Sequence, residues 1–457
     1  MGATPSAMFS AEQFARSPVR SRPREVGISP AVGKGLDATL LGGGSPERQL
    51  SSNLSTFLNI INNYVGMVLL SMHFTFARAG WLALPTLAVL TAFGAFTGDI
   101  IVESYKTIEA SSVHGSRAPS YAQIGERCLG TFGKWLVVIS SVIETFFALL
   151  CMLLIIWTNA ALLMPAADQG WVVAACIALS LPTNLLRDFS ILSFLSAFGL
   201  ACVVLIVGVV FFNVATHVPT VHEPIRELAN LSGLPMSGSI MLAGLTGHVG
   251  LPPMYAEMKT PSAFRGTLYA SFAAMLAMYV AVGVCGYLLY GDSSHMLITE
   301  DAATAKHHHG VLGRVLNQMV LGAITFKLFC GVPVCVLVLV DIANDLRQEG
   351  GEEPFSQAAA DRARLAIWIA SVVCALAVAS SLQYVTALIG INSMLISILL
   401  PLLFYVQLHR HAMGTLQLVL YAGLVVVSVL VTFVIGWVDV QEFFDSLNSL
   451  NSQQPQR

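Results

Sequence analysis

Eleven stretches of mostly apolar residues, each close to membrane-spanning length, constrain this chain more than any other feature. They run over 54–77, 81–105, 132–164, 171–186, 189–213, 236–257, 265–290, 311–341, 363–381, 384–408 and 413–436. A bilayer-crossing helix needs roughly 20 such residues. Lipid offers the backbone no hydrogen-bond partner, so a chain of this kind is expected to span as helices. Only 11% of the residues are charged while 55% are apolar, too little charge to cover a water-facing surface. The expected class is therefore an all-α polytopic membrane protein.

Composition also closes off other classes. The net charge of −3 gives no basic field for nucleic acid. The eight cysteines stand singly with no CxxC or CxxH pair, so neither a disulfide framework nor a metal site is expected. No nucleophile and base recur at a spacing that suggests an enzyme, and no cofactor is expected. Residues 1–50 differ, being rich in Ser, Pro, Gly and Arg, and read as a disordered cytoplasmic tail able to dock a partner. The tail opens on "MGATPS", which fits a myristoylation pattern. It carries no cleavable leader pattern, so the first span is expected to stay in place as an anchor. The transporter domain is expected over 51–440, with a short tail over 441–457.

Lys and Arg set the orientation. An inside N-terminus places the tail's basic residues with Lys106, Arg117, Arg127, Lys134, Arg187, Lys259, Arg265, Arg347, Arg362, Arg364 and Arg410 on the cytoplasmic side. Only Arg226, Lys306, Arg314 and Arg457 fall opposite. The N-terminus is thus expected in the cytoplasm. The segments 214–235, with an N-glycosylation sequon at Asn230, and 292–310, with His307, His308 and His309, fall on the outer or luminal side.

Two spans contain residues that regular helices avoid. The sixth reads "GLTGHVGLPPMYAEM" over 244–258. Gly244, Gly247 and Gly250 permit unwinding, and Pro252 and Pro253 each remove a backbone donor. The first, five spans earlier, carries Asn59, Asn62 and Asn63, then Gly66, Ser71 and His73. Interrupted membrane helices survive where freed N–H and C=O groups face a ligand, and a zwitterionic amino acid suits such a site. A proline kink and interhelical amide bonds are the structural alternatives. Ionisable groups inside spans are functional candidates by default. Glu144 of the third span is expected to carry a proton. Lys327 of the eighth is expected to stand where a metal cation binds in other carriers, or to pair with Glu144. Asp99 and Glu103 lie at a cytoplasmic end and read as interfacial.

The motifs together resemble the amino acid/auxin permease family, and within it the vacuolar amino acid transporters and the vesicular inhibitory amino acid transporters. "GHVGLPPMYAEMKTPSAF" (247–264) is similar to the family's GHxxxPxxYxxMxxPxxF string. "NNYVGMVLLS" (62–71) followed by "AGW" (79–81) resembles the signature of the first helix. "FTGDIIVES" (96–104), "PSYAQIGERCLGTFGK" (119–134) and "LPTNLLRDFSILSFLSAFG" (181–199) follow in the family's order.

The resemblance implies a five-plus-five inverted repeat of the leucine-transporter type plus one helix. It implies an amino acid held between the first and sixth helices, with substrate contacts at or near Asn62, Gly66, Ser71, Gly247 and His248. It also implies coupling to a proton, with sodium at Thr325 as the alternative, and an endomembrane location. His73 stands where most members carry proline, which adds a titratable group, and Glu144, Lys327, Thr325 and His73 make the coupling-ion set. Pro253 and the Gly250–Leu251 pair depart from the bulkier family residues. An amino acid sensor signalling through the tail is the second reading, and a carrier of auxin-like organic acids a third.

Overall fold

The computed structural model describes residues 50–111, 120–184, 190–216, 225–304, 311–379 and 381–452. The N-terminal tail and the His307–His309 run lie outside the described residues, and with them the expected disorder, acylation and partner docking. Everything described is helical apart from turns, loops and one isolated β-bridge, which is the all-α architecture expected of a chain this apolar.

The first apolar segment forms α1 (Asn53–Tyr64), a 3₁₀ stretch (Met67–Ser71) and α2 (Met72–Ala79). Ser52 caps α1 by accepting from Ser55 N, which satisfies one of the donors left open at a helix start. Regular helix stops at Val65 (ψ 86°) and Gly66 (ψ −137°). α3 (Ala83–Ser111), α4 (Tyr121–Leu163), α5 (Gln169–Thr183) and α6 (Ser190–Ala215) follow. The sixth segment forms α7 (Leu234–Ala243) and α8 (Leu251–Ala256), with Gly244–Gly250 between them. α9 (Phe264–Tyr290), the short α10 (Ile298–Thr304), α11 (Val311–Glu349) and α12 (Gln357–Ala377) come next. α13 (Leu382–Ser393), a π-helical turn (Met394–Leu399), α14 (Leu400–His409) and α15 (Thr415–Ser452) complete the described residues.

Among the described residues, seven helical stretches are long and apolar enough to cross a membrane by length and composition. One of them, Met67–Ala110, takes in the end of the first expected span and the whole of the second, and the others expected fall on the short α5, on the split α7 and α8, and on α12, whose first turns carry Asp361, Arg362 and Arg364. α1 and α2 are packed against α9. α4 lies along α11 and α13, and α13 also packs on α7. α15 is peripheral: only 6% of its most apolar window is buried, against 67% for Leu382–His409. Val427, Leu430, Phe433 and Trp437 of α15 face outward, as lipid-facing side chains do.

Backbone contacts tie the two split segments at both ends. On what we term the proximal face, Ser51 N donates to Glu257 O (2.7 Å) and Lys259 N donates to Ser51 O (2.9 Å). On the opposite, distal face, Trp81 N donates to Glu227 O (3.2 Å) and Asn230 N to Ala79 O (3.0 Å). Gly80 makes this crossing possible, since it holds φ +67° and a Cβ there would sit 2.6 Å from Glu227 O. Asn230, the sequon residue, uses its side-chain oxygen to accept from Ser232 Oγ and Gly233 N. Asp99 pairs with Arg265 (3.0 Å) and Glu103 with Lys106 (3.2 Å) at the proximal face.

Candidate functional site

The places where regular helix stops in the first and sixth segments meet in the core. Asn63 Nδ2 donates to Gly247 O (3.0 Å), so an amide of the first segment joins the backbone N–H of Gly250 (3.0 Å) in donating to a carbonyl at the break in the sixth. Gly247 takes φ +143°, a conformation L side chains rarely adopt, and a Cβ there would lie 2.5 Å from Asn63 Nδ2. Both the dihedral and the close approach demand glycine. The Tyr279 hydroxyl, from α9, reaches Gly244 O (2.8 Å) and Tyr64 O (3.2 Å). One phenolic proton thus serves the carbonyls of both segments, the shorter contact taking the larger share.

His248 is fully buried. Its Nε2 lies 3.0 Å from Gly94 O and 3.1 Å from Thr97 Oγ1, and its Nδ1 lies 3.2 Å from Tyr64 Oη. A carbonyl only accepts, so Nε2 carries the proton and Nδ1 accepts from the tyrosine. In this arrangement His248 joins the start of α8 to α1 and α3, and its ring nitrogens are both engaged.

Two ionisable groups border this junction. Glu144 of α4 lies beside Thr246 and close enough to Tyr64 and Tyr121 to act on both electrostatically. Glu144 Oε2 and Thr246 Oγ1 are buried and make no well-formed hydrogen bond. Lys327 of α11 lines a small cavity with Gly66, Met67, Leu70, Val203 and Ile324. A methyl group at Gly199 would sit 3.0 Å from Asn62 Oδ1 and 3.1 Å from Lys327 Cε, so α6 presses on both. No ion pair joins Lys327 to Glu144 among the described residues. Nothing lies within 4 Å of a Cβ built on Gly66, which leaves open space at the first interruption.

The structure thus brings Gly247, His248 and Glu144 around one junction and places Asn62, Gly66 and Lys327 on its other side. Ser71 is buried in the 3₁₀ stretch. Thr325 spends its hydroxyl proton on Leu321 O (2.7 Å), which leaves its oxygen lone pairs as acceptors. His73 stands apart, on the distal face, 2.7 Å from Asp301. Sequence reasoning passed over Tyr279, Tyr64 and Thr97. Tyr279 falls in an apolar run where an aromatic is ordinary core, and nothing local marks the hydroxyl as the group that bridges two segments.

Interrupted helices packed around a polar junction in an all-helical, membrane-length chain define a membrane transporter. A profile described as "Transmembrane amino acid transporter protein" matches residues 49–440, and the chain belongs to that family. The family consists of membrane transporters, not enzymes. Among curated relatives from Arabidopsis thaliana, the amino acid transporter AVT1D is 29% identical over 54% of this chain and 46% of its own length. AVT1E is 27% identical over 86% of this chain and 73% of its own length. The match thus spans about half the length of the first of these relatives. A manganese transporter from Eremococcus coleocola, crystallised as a histidine-to-alanine mutant, shares the fold (TM-score 0.57, 9% identity, 88% of this chain and 87% of that one).

Proposed function

We propose that the protein is a secondary active transporter of neutral amino acids, working by alternating access with a proton as the coupling ion. One observation carries this reading: the first and sixth segments interrupt their helices side by side, joined through Asn63, Tyr64 and Tyr279, with a buried carboxylate at the junction whose Oε2 makes no well-formed hydrogen bond. A substrate carboxylate is suited to the N–H groups that open after Gly66, at the positive end of the Met67–Ala79 helical stretch. The substrate ammonium is suited to carbonyls near Thr246 and to the Glu144 side. The relatives named as amino acid transporters supply the substrate class. A neutral side chain fits because Glu144 and Lys327 are the ionisable groups bordering the junction, one of each sign.

The proton is assigned to Glu144. Protonation converts the carboxylate from an acceptor only into a donor facing Thr246, a change that alters how the junction packs. Lys327 places an amine two residues from Thr325, the position considered for sodium. The N-terminus is assigned to the cytoplasm and the membrane to an acidic endomembrane.

The test is uptake of radiolabelled amino acids into proteoliposomes under a pH gradient, a sodium gradient, or neither, with Glu144→Gln and Lys327→Ala beside the parent. The expected result is uptake driven by the pH gradient and lost in Glu144→Gln. Sodium-driven uptake would overturn the proton assignment and return attention to Thr325.

A further inference from the structure

Charged groups on the distal face come with their partners. Asp301 of α10 is 4% exposed. It accepts from His73 Nε2 (2.7 Å), from His295 Nδ1 (2.5 Å) and from the His295 backbone N–H (3.0 Å). Arg78, at the end of α2, is held by Glu442 of α15 (2.8 Å). Lys327 of α11 is treated differently. Among the described residues it makes no hydrogen bond and no ion pair, and the ionisable group that acts on it is the Cys202 thiol of α6. That thiol donates to Ala323 O (3.7 Å), so it keeps its proton and brings no negative charge. An ammonium inside a membrane segment is costly, and one without a counter-charge marks a place that an anion visits.

The surroundings of the amine fit such a visitor. Lys327 lines the small cavity at the first interruption together with Gly66 and Met67. Helix resumes at Met67, and the first N–H groups of a helical stretch have no carbonyl partner within it. Open space adjoins them, since nothing lies within 4 Å of a Cβ built on Gly66. On the α6 side, a Cβ at Gly199 would sit 3.0 Å from Asn62 Oδ1, 3.1 Å from Lys327 Cε and 3.5 Å from Lys327 Nζ. A side chain there would press on both the amide and the amine. The remaining walls, Leu70, Val203, Ile206, Ile324 and Leu328, are apolar, so a charge attraction inside them is weakly screened.

We propose that this cavity is an anion subsite, in which Lys327 Nζ is the counter-ion of the carboxylate carried by the transported molecule and Gly199 leaves the amine room to reach it. A carboxylate brings one negative charge and two oxygens. One oxygen takes a charge-assisted hydrogen bond from the ammonium, and the other faces the N–H groups that open after Gly66. The apolar walls offer nothing to a second charge, so a dianion is rejected. Lys327 thereby acts on the substrate rather than as a stand-in for a coupling cation. Under the proposed transport function, on which this subsite rests for the other end of its ligand, an amino acid carries that carboxylate and its ammonium lies toward Glu144.

The test is thermal unfolding of the full-length protein in detergent, in chloride-free buffer at one pH. It is titrated with the common amino acids, the matched acids lacking the amine (propionate for alanine) and the matched amines lacking the carboxylate (ethylamine for alanine). Stabilisation by a ligand reports its affinity. Lys327→Met should weaken amino acids and acids about 10- to 100-fold and leave the amines unchanged. Without ligand, Lys327→Met should unfold at a higher temperature than the parent, because an apolar chain of similar length replaces an uncompensated charge. Gly199→Ala should weaken the same ligands that Lys327→Met weakens. Unchanged affinities in Lys327→Met would overturn the subsite and leave amino acid transport standing. Acids that bind through Lys327 where no amino acid does would keep the subsite and overturn the amino acid reading. Chloride that stabilises the parent as much as any acid, and loses that effect in Lys327→Met, would make the amine a halide site and overturn the carboxylate assignment. A parent stabilised by no member of the panel would overturn both.

Discussion

The central junction and the distal cluster both hold a carboxylate in a largely buried setting, yet they treat it oppositely. Asp301 is saturated, accepting from two imidazoles and a backbone N–H. Glu144 Oε2 faces a threonine hydroxyl, and neither atom makes a well-formed hydrogen bond. A buried acceptor without a well-formed partner costs roughly 1–3 kcal/mol, so a carboxylate left in that state at one place and fully paired at another marks two tasks. The saturated cluster fixes one segment to another. The unsatisfied one is poised for something that arrives and leaves.

Breaking that contrast at the centre should have the largest effect. Glu144→Gln retains the shape and removes the exchangeable charge, and should abolish the pH-driven component of uptake while leaving thermal stability in detergent nearly unchanged. Gly247→Ala comes next. It forces a side chain into a glycine-only conformation, at a cost of about 1–3 kcal/mol, and drives a methyl against Asn63 Nδ2. It should lower both the melting temperature and the uptake rate. Tyr279→Phe removes the phenolic proton shared by the two segments and leaves the Gly244 carbonyl short of a donor. A loss of about 1–3 kcal/mol in stability is expected, read as a lowered denaturation midpoint.

The distal cluster should show itself in pH dependence rather than in raw stability. His295 binds a proton more tightly in the folded protein because of Asp301, so its contribution is fully present below the ordinary imidazole value of about 6.5 and is lost as pH rises through its elevated folded value. Glu300, raised by burial, acts in the same direction from about 4.5 upward, since ionising it costs more in the folded state. The melting temperature should therefore fall as pH rises from about 6, and His295→Gln should flatten the upper part of that curve. The smallest effect belongs to a position in neither cluster. Val427→Ala, on the outward face of α15, should shift stability by no more than about 0.5 kcal/mol.

How far these features are legible in the sequence follows the range of the interactions. The helical class and the transporter family rest on local composition and on strings such as "GHVGLPPMYAEMKTPSAF", and the family profile covers the same region. Gly247 marks its own peculiarity, because few other residues could stand there. His73 could be seen as titratable but not as the partner of Asp301, which is separated from it by 228 positions. His295 and Asp301 lie in a short polar stretch of sequence that reads as ordinary solvated chain. The tyrosine hydroxyls were equally hidden, since what matters is which carbonyls they reach after packing. The span count reads differently by composition and by structure at α5, α7–α8 and α12, where shortness, a split or early charges interrupt the apolar run.

The single parallel bridge at the proximal face has a mechanical meaning. Ser51, just ahead of α1, is stitched by two backbone hydrogen bonds to Glu257 and Lys259, at the exit of the sixth segment. Tension applied to the preceding residues therefore does not reach α1 alone. It arrives first at a clasp between the two segments that flank the junction, and two hydrogen bonds are few enough for such a pull to undo.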